Sequence, residues 1–116
     1  MQPKSEPLTE SYFYILLCMY HNPLHGYGIM QESLKLSGGR VKIGSGTMYG
    51  AVSNMLKKDW IREVISGGTD EKNKRKYELT ELGKEVLDSE IERLRELLAS
   101  ADQVIDTASG ITEEQS

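Results

Sequence analysis

The residues with the clearest chemical potential are cations and small polar side chains crowded into the middle of the chain. Residues 40–76 contain nine basic and four acidic side chains, a net charge of +5, although the whole chain of 116 residues carries −4. Polyanions are bound by locally clustered cations, while hydroxyl and amide side chains hydrogen-bond to phosphates and base edges. The distribution of charge therefore indicates a nucleic-acid interface, which the overall pI of about 5.2 would not suggest.

The polar part of this region is predicted to lie on a helix from about 46 to 59, with Ser45 as its N-cap. One face of that helix carries the predicted core residues Met48, Val52, Met55 and Leu56. The opposite face is small, polar and cationic, and Gly46 and Gly50 would let the helix backbone approach a partner closely. The candidate DNA contacts here are Ser45, Thr47, Tyr49, Ser53, Asn54 and Lys57.

The cationic part of the region is predicted to lie on a β-hairpin. Its strands are the β-rich runs 63–65 and 76–79, and a long polar loop joins them. Each phosphate that such a hairpin neutralises releases a counterion, which favours binding. The candidate DNA contacts on the hairpin are Lys72, Lys74, Arg75 and Lys76.

Two earlier helices must support these elements. The first is predicted from a cap at Thr9 to about Asn22, where Pro23 stops it. Its predicted buried face is Phe13, Leu16, Leu17 and Tyr20, widened by Tyr12, Ile15 and Met19. The second is predicted from 24–26 to the glycine pair 38–39, with the apolar set Tyr27, Met30, Leu34 and Leu36.

A long fourth helix is predicted to follow a cap at Thr80 and to end at about residue 106. Its apolar residues alternate by four and three, which is typical of a helix that packs against another helix. A small three-helix core cannot cover such a seam, so the pattern predicts a homodimer with two-fold symmetry. The predicted interface residues are Phe13, Leu87, Ile91, Leu94, Leu98, Ala101 and Ile105.

Three helices, a hairpin and a long last helix predict a mainly α fold, the winged helix-turn-helix, with a C-terminal dimerisation helix. The predicted segments are a disordered leader at 1–7, a DNA-binding domain at 8–79, the dimerisation helix at 80–106 and a disordered tail at 107–116. In this architecture the third helix enters the major groove of double-stranded DNA, and the hairpin reaches the neighbouring backbone.

Three short stretches resemble the PadR family of bacterial transcriptional regulators. They are Asn-Pro-Leu-His-Gly-Tyr-Gly-Ile at 22–29, Gly-Thr-Met-Tyr at 46–49 and Lys-Tyr-Glu-Leu-Thr-Glu-Leu-Gly at 76–83. The single C-terminal helix is similar to that of the compact branch of the family. The resemblance implies a homodimer that represses transcription from a palindromic operator and that a small molecule releases in many members. It also implies that Thr47 and Tyr49 begin the DNA-reading helix and that Tyr27 packs or contacts a phosphate.

The chain departs from the family pattern at three places. Gly50 stands where the family commonly has proline, and Trp60 is assigned to a position where glycine is usual before the wing. Drug-sensing relatives stack planar ligands on a tryptophan of the last helix, but residues 81–106 include no aromatic side chain. No drug-binding site is therefore carried over, and the ligand stays unknown.

Other chemistries have little support in the sequence. Cys18, His21 and His25 are metal-ligand types, but Pro23 breaks the helical spacing between the histidines, so no metal or cofactor is predicted. No nucleophile and base pair indicates an enzyme. No apolar run approaches the roughly 18 residues of a membrane span, and the single cysteine fits the cytoplasm. The alternative function is a winged-helix interaction module that binds an acidic protein or RNA.

Overall fold

The predicted order of helices and strands is confirmed by a computed structural model. It describes the backbone of residues 6–65 and 75–115, and the side chains of these residues as far as 106. The elements are α1 (Glu10–Cys18), α2 (Gly26–Leu36), α3 (Ser45–Lys57), β1 (Ile61–Ile65), β2 (Arg75–Leu79) and α4 (Glu81–Gln115). This is a winged helix-turn-helix followed by one long helix.

Helix α1 begins as predicted and ends earlier. The Thr9 hydroxyl accepts a hydrogen bond from the Tyr12 backbone N–H at 3.1 Å, which confirms the cap. The helix ends at Cys18 instead of continuing to Asn22. Its last turn tightens because the backbone N–H groups of Met19 and Tyr20 donate to carbonyls three residues back, at 3.1 and 3.0 Å.

The ends of α2 and α3 share one hydrogen-bonding pattern. After α2, Gly38 and Gly39 have φ angles of 66° and 85°, which confirms the predicted glycine stop. After α3, Asp59 takes the same left-handed conformation at φ 64°, and Trp60 N–H donates to the Met55 carbonyl at 2.9 Å. The position that favours glycine is therefore that of Asp59, and its assignment to Trp60 was wrong.

The start of α3 corrects another prediction. Gly44 is the N-cap, with extended backbone, and its carbonyl accepts from Met48 N–H at 2.9 Å. Ser45 is the first helical residue and does not cap the helix with its side chain. Glycine is among the residues that N-caps favour, so the helix begins one residue before the sequence pattern suggests.

The core corrects the predicted faces of α1 and α2. Large side chains with almost no exposure are Ile15, Leu16, Met19, Ile29, Met48, Met55, Ile61 and Leu87. On α2 the buried residues are Gly26, Ile29 and Ser33, whereas Tyr27, Leu34 and Leu36 are exposed. Small residues let α2 approach its neighbours, and a search for large apolar side chains overlooks them. Of the residues predicted to form the buried face of the first helix, Phe13 and Leu17 on α1 and Tyr20 just after it are only half-buried.

The core face of α3 is largely as predicted. Met48, Val52 and Met55 are buried, and Ala51 joins them. Leu56, which was also predicted to be buried, is exposed because it lies at the edge of this face.

The wing consists of β1 and β2, paired antiparallel from Ile61 opposite Leu79 to Ile65 opposite Arg75. The strands begin one or two residues earlier than predicted. On the edge of β2 that faces away from β1, Tyr77 forms an isolated antiparallel bridge with Leu24, just before α2. Hydrogen bonds between backbone groups therefore join the wing to the helix-turn-helix.

Helix α4 is capped by Thr80 as predicted, since the Thr80 hydroxyl accepts from Gly83 N–H at 3.0 Å. The helix continues to Gln115, beyond the predicted end at 106 and through the predicted disordered tail. The sequence after 106 contains no proline and only one glycine to stop it. Of the predicted leader, residues 1–5 lie outside the described residues.

Within the described ranges, no helix is both long enough and apolar enough to cross a membrane.

Candidate nucleic-acid interface

The exposed face of α3 is a narrow strip of small residues that ends in a cation. Gly46, Gly50, Ser53 and Lys57 lie on it, opposite the buried Met48 and Met55, and all four are exposed. A Cβ atom built on Gly46 or Gly50 would have no neighbour within 4 Å. We call these four residues the central strip.

The fold itself does not require glycine in the central strip. Neither Gly46 nor Gly50 has a positive φ, and neither is held close to another part of the chain within residues 6–65 and 75–106. Glycine inside a helix costs about 1 kcal/mol relative to alanine. The two residues therefore weaken α3 while leaving its backbone open to close approach from outside.

One edge of the central strip is joined to α1. The Asn54 side-chain N–H donates to the Tyr12 hydroxyl at 2.9 Å, and both side chains are half-buried. Thr47 lies two helical turns before Asn54 on the same edge and is exposed. The Thr47 side chain can therefore change its orientation toward a binding partner, whereas the hydrogen bond to Tyr12 restrains the orientation of the Asn54 side chain.

The other edge of the strip carries Tyr49, which is 58% exposed. Its hydroxyl would lie 3.4 Å from a Cβ atom on Gly26, so it sits beside the start of α2. It also lies near the wing. Burial raises the pKa of Tyr77 in the wing, the negative charge of Glu63 adds to this rise, Arg75 opposes it, and the phenol of Tyr49 is close enough to add a smaller increase.

Tyr27 is on the outer surface of α2 and not in the core. Its side chain is 64% exposed, and its hydroxyl accepts from the Gln31 amide at 3.2 Å. The side chain is thus available to an external partner near the beginning of α2.

The cations of this region divide into paired arginines and unpaired lysines. Arg62 donates to Glu78 at 2.6 Å, Arg75 to Glu63 at 3.1 Å and Arg40 to Glu10 at 2.6 Å. In the part of the chain that the structure describes, the lysines of this region, Lys42, Lys57, Lys58 and Lys76, have no ion-pair partner.

The unpaired lysines therefore contribute most of the local positive charge, and the charge of Arg75 is partly compensated. Lys58 lies 5.4 Å from the centre of the Trp60 ring. The predicted contacts Lys72 and Lys74 lie outside the described residues.

Lys42 was not among the predicted contacts. It is exposed between the buried residues Val41 and Ile43, immediately before α3. The alternation of apolar, polar and apolar residues at 41–43 predicts from the sequence alone that the Lys42 side chain is exposed.

The predicted dimer surface is largely accessible on α4. Leu98 is 64% exposed, Ala101 and Ile105 are exposed, and Ile91 and Leu94 are half-buried. Leu87 contradicts the prediction because its side chain is completely buried in the chain's own core. Phe13 is half-buried and packs edge-on against Tyr14, with ring centres 5.6 Å apart.

The candidate metal ligands do not form a site. Cys18 donates to the Ile15 carbonyl at 3.2 Å, and burial raises the pKa of its thiol to about 11. Among the residues whose positions are described, no three His, Cys, Asp or Glu side chains come together to hold a metal.

Comparison with protein families identifies a match over most of the chain. The family model of the transcriptional regulator PadR-like family matches residues 15–89. No sequence match was found among curated proteins.

Solved structures of the same family have the same fold. A PadR family transcription regulator from Clostridium difficile has a TM-score of 0.68 at 24% identity, over 82% of this chain and 97% of that one. A PadR-like regulator from Bacillus cereus has a TM-score of 0.67 at 17% identity, over 81% and 89%. PadR from Bacillus subtilis, in complex with operator DNA, has a TM-score of 0.63 at 17% identity, over 95% and 74%. At these identities the likeness establishes the fold.

Proposed function

The chain belongs to the PadR-like family of transcriptional regulators, and we propose that it is a homodimeric cytoplasmic repressor that binds a palindromic operator. The family consists of regulators and not of enzymes, in agreement with the sequence prediction. The proposal assigns α3 to the major groove and the wing to the adjacent backbone.

The open central strip of α3 carries this proposal. Its glycines destabilise the helix, and no contact among the described residues needs them, so close approach of a partner to the α3 backbone accounts for them best. The major groove is about 12 Å wide and admits a helix of this kind. The operator complex of Bacillus subtilis PadR supports DNA as the partner.

The proposed contacts fall into two groups. Thr47, Ser53 and Asn54 hydrogen-bond to base edges, because they are the polar side chains next to the open backbone. The remaining contacts hold phosphates and fix the position of the protein. They are Ser45 at the α3 N-terminus, Tyr27, Tyr49, Lys42, Lys57, Lys72, Lys74, Arg75 and Lys76.

The proposed dimer forms through α4. Leu94, Leu98, Ala101 and Ile105 follow one side of the helix, where Leu94 is half-buried and the other three are exposed. Pairing with the same surface of a second copy would bury these side chains. A two-fold dimer places two copies of α3 on half-sites separated by one helical turn of DNA, about 34 Å, or by a multiple of it.

Release by a small molecule completes the proposed regulation. A compound that binds between the two α4 helices would change the separation of the α3 helices and weaken operator binding. The α4 sequence has no aromatic residue to stack a planar compound, so the compound is assigned no chemical class.

Selective capture of genomic DNA tests the function directly. The purified full chain is mixed with sheared DNA from its own genome, and the bound fragments are sequenced. We expect a few promoter regions to be enriched and to share an inverted repeat. Uniform recovery of all fragments would contradict the proposal. When total RNA from the same cells is added to the DNA, preferential recovery of RNA would support the alternative interaction module.

A further inference from the structure

A hydrogen bond links the proposed reading helix to the first helix of the chain. The Asn54 side-chain nitrogen, on α3, donates to the Tyr12 hydroxyl, on α1, at 2.9 Å. Asn54 is half-buried at the edge of the central strip, so this residue is partly accessible from outside. The bond therefore restrains the orientation of a side chain that lies at the proposed interface.

Tyr12 is itself held in place from two directions. Its backbone N–H donates to the Thr9 cap at 3.1 Å, and its ring meets the Trp60 ring edge-on, with centres 6.5 Å apart. Trp60 is fixed in turn, because its N–H donates to the Met55 carbonyl and its own carbonyl accepts from Thr80 N–H, each at 2.9 Å. The Tyr12 hydroxyl is thus presented to Asn54 by α1 and by the residue that precedes β1.

The chemistry of the amide determines what remains for a ligand. A side-chain amide has two N–H donors and one carbonyl acceptor, and Tyr12 uses one donor. One N–H and the carbonyl oxygen are left, which is the pair that matches the N7 acceptor and N6 amino donor of adenine in the major groove. Without the Tyr12 bond the amide could rotate and offer these groups in the opposite order.

We propose that Tyr12 is a positioning residue for sequence recognition, which orients Asn54 so that it reads an adenine in each half-site. The proposal rests on the proposed DNA-binding function of α3. Under this proposal, operator specificity depends on Tyr12, a residue of α1 that itself contacts no base.

A merely structural role for the bond predicts a different result. If the bond only attached α1 to α3, its loss would lower stability and weaken binding equally to all sequences. If Tyr12 positions Asn54, its loss relaxes the preference at one base pair in each half-site and leaves the other positions unchanged.

Selection from a library of random DNA duplexes separates the two roles. The full chain is compared with Tyr12→Phe, which removes only the hydroxyl, and with Asn54→Ala. Tyr14→Phe is the matched control, because Tyr14 is also half-buried on α1 and its described contact is a ring contact with Phe13. We expect Asn54→Ala to lose the preference for one adenine, by about tenfold. Tyr12→Phe should weaken the preference at the same position, and Tyr14→Phe should keep it.

A fourth variant keeps the test valid if Tyr12→Phe folds poorly. Asn54→Asp replaces the amide by acceptors alone, so the preferred base at that position should change from adenine to cytosine, whose N4 amino group is a donor. An unchanged preference in Asn54→Asp, or a uniform loss of affinity in well-folded Tyr12→Phe, would overturn the proposal. If the unmodified chain enriches no sequence, the DNA-binding function itself fails, and this outcome is distinct from both.

Discussion

Leu24 and Tyr77 exchange two backbone hydrogen bonds, at 3.0 and 2.8 Å, and so join Leu24, which lies two residues before the start of α2, to the edge of the wing. The bonds bring the second strand of the wing next to the start of the second helix, where Tyr49 from α3 also lies. Wing and helix-turn-helix are thereby held in one arrangement. Under the proposed function, a phosphate bound by the wing and bases read by α3 must then have a defined separation.

The first prediction concerns the unpaired cation of the wing. Lys76 lies next to Tyr77 and, within the described residues, has no ion-pair partner. Lys76→Ala should weaken binding to all duplexes and reduce the slope of log affinity against log salt concentration by about 0.9, as expected for one lost phosphate contact. Fluorescence anisotropy over a series of salt concentrations measures this slope.

The control for Lys76 is Lys35→Ala, which removes the same charge from the last turn of α2, where Lys35 lies 3.9 Å from Glu32. The salt slope should stay unchanged in this variant. If Lys76→Ala, Lys35→Ala and the unmodified chain all have the same slope of log affinity against log salt concentration, Lys76 does not contact a phosphate.

The second prediction concerns the central strip. Gly50→Ala should stabilise the fold by about 1 kcal/mol, because alanine is the better helix former and its Cβ meets nothing within 4 Å. The same methyl group should hinder close approach of DNA and weaken operator binding. Urea denaturation measures the first effect and anisotropy the second.

Gly83→Ala is the matched variant for Gly50→Ala. A Cβ atom there would overlap the Trp60 carbonyl oxygen and come within 2.9 Å of its carbon, so the fold should lose about 1–3 kcal/mol. A more stable Gly50→Ala protein with unchanged DNA affinity would refute the role given to the central strip.

The third prediction concerns the buried carboxylate of α4. Glu90 is 2% exposed and accepts two hydrogen bonds from Arg93, at 2.9 and 2.8 Å, and one from the Leu8 N–H at 3.2 Å. The hydrogen bonds from Arg93 lower the pKa of Glu90, and burial opposes them. Glu90→Gln should therefore cost about 2 kcal/mol near neutral pH.

The pH dependence of this cost has a defined sign. A lowered pKa means that the unfolded chain binds more protons, so Glu90 stabilises the fold above its unfolded pKa and loses this effect as the pH falls below it. Urea denaturation at about pH 7 and about pH 3 should show the difference between Glu90→Gln and the unmodified chain shrinking at acid pH. Glu92→Gln, on the exposed side of the same helix, is the control. If the loss of stability caused by Glu90→Gln is the same at both pH values, this loss does not come from the charge of the Glu90 carboxylate.

The fourth prediction concerns the proposed dimer. Leu98→Glu places a charge on the exposed apolar surface of α4 and should convert the dimer to a monomer without disturbing the core. Leu82→Glu, at the exposed start of the same helix, should leave the dimer intact. Sedimentation velocity distinguishes the two. A dimer that persists in Leu98→Glu would exclude this surface as the interface.

The sequence was a good guide to element order and a poorer guide to which small residues are buried. Turn residues and caps such as Thr9, Thr80 and the glycine pair after α2 act locally, so they can be recognised in the sequence. The buried face of α2 could not, because Gly26 and Ser33 are buried through the fit of three helices and not through their own hydrophobicity.

The electrostatics of the site also depended on tertiary structure. Arg62 lies directly opposite Glu78 in the wing, and this register decides that its charge is compensated while that of Lys76 is not. The hydrogen bond between Tyr12 and Asn54 joins residues far apart in the sequence and has no local signature. The candidate contacts of α3 could be proposed from the sequence because they lie on or beside one exposed helical face.

The most direct test of the account is a comparison of two duplexes over a range of salt concentrations. One carries the inverted repeat found in captured genomic fragments, and the other carries the same bases in scrambled order. We predict that the full chain binds the repeat more tightly at every salt concentration and that its affinity for both duplexes falls as salt rises. Equal affinity for the two duplexes throughout would contradict sequence-specific recognition by α3.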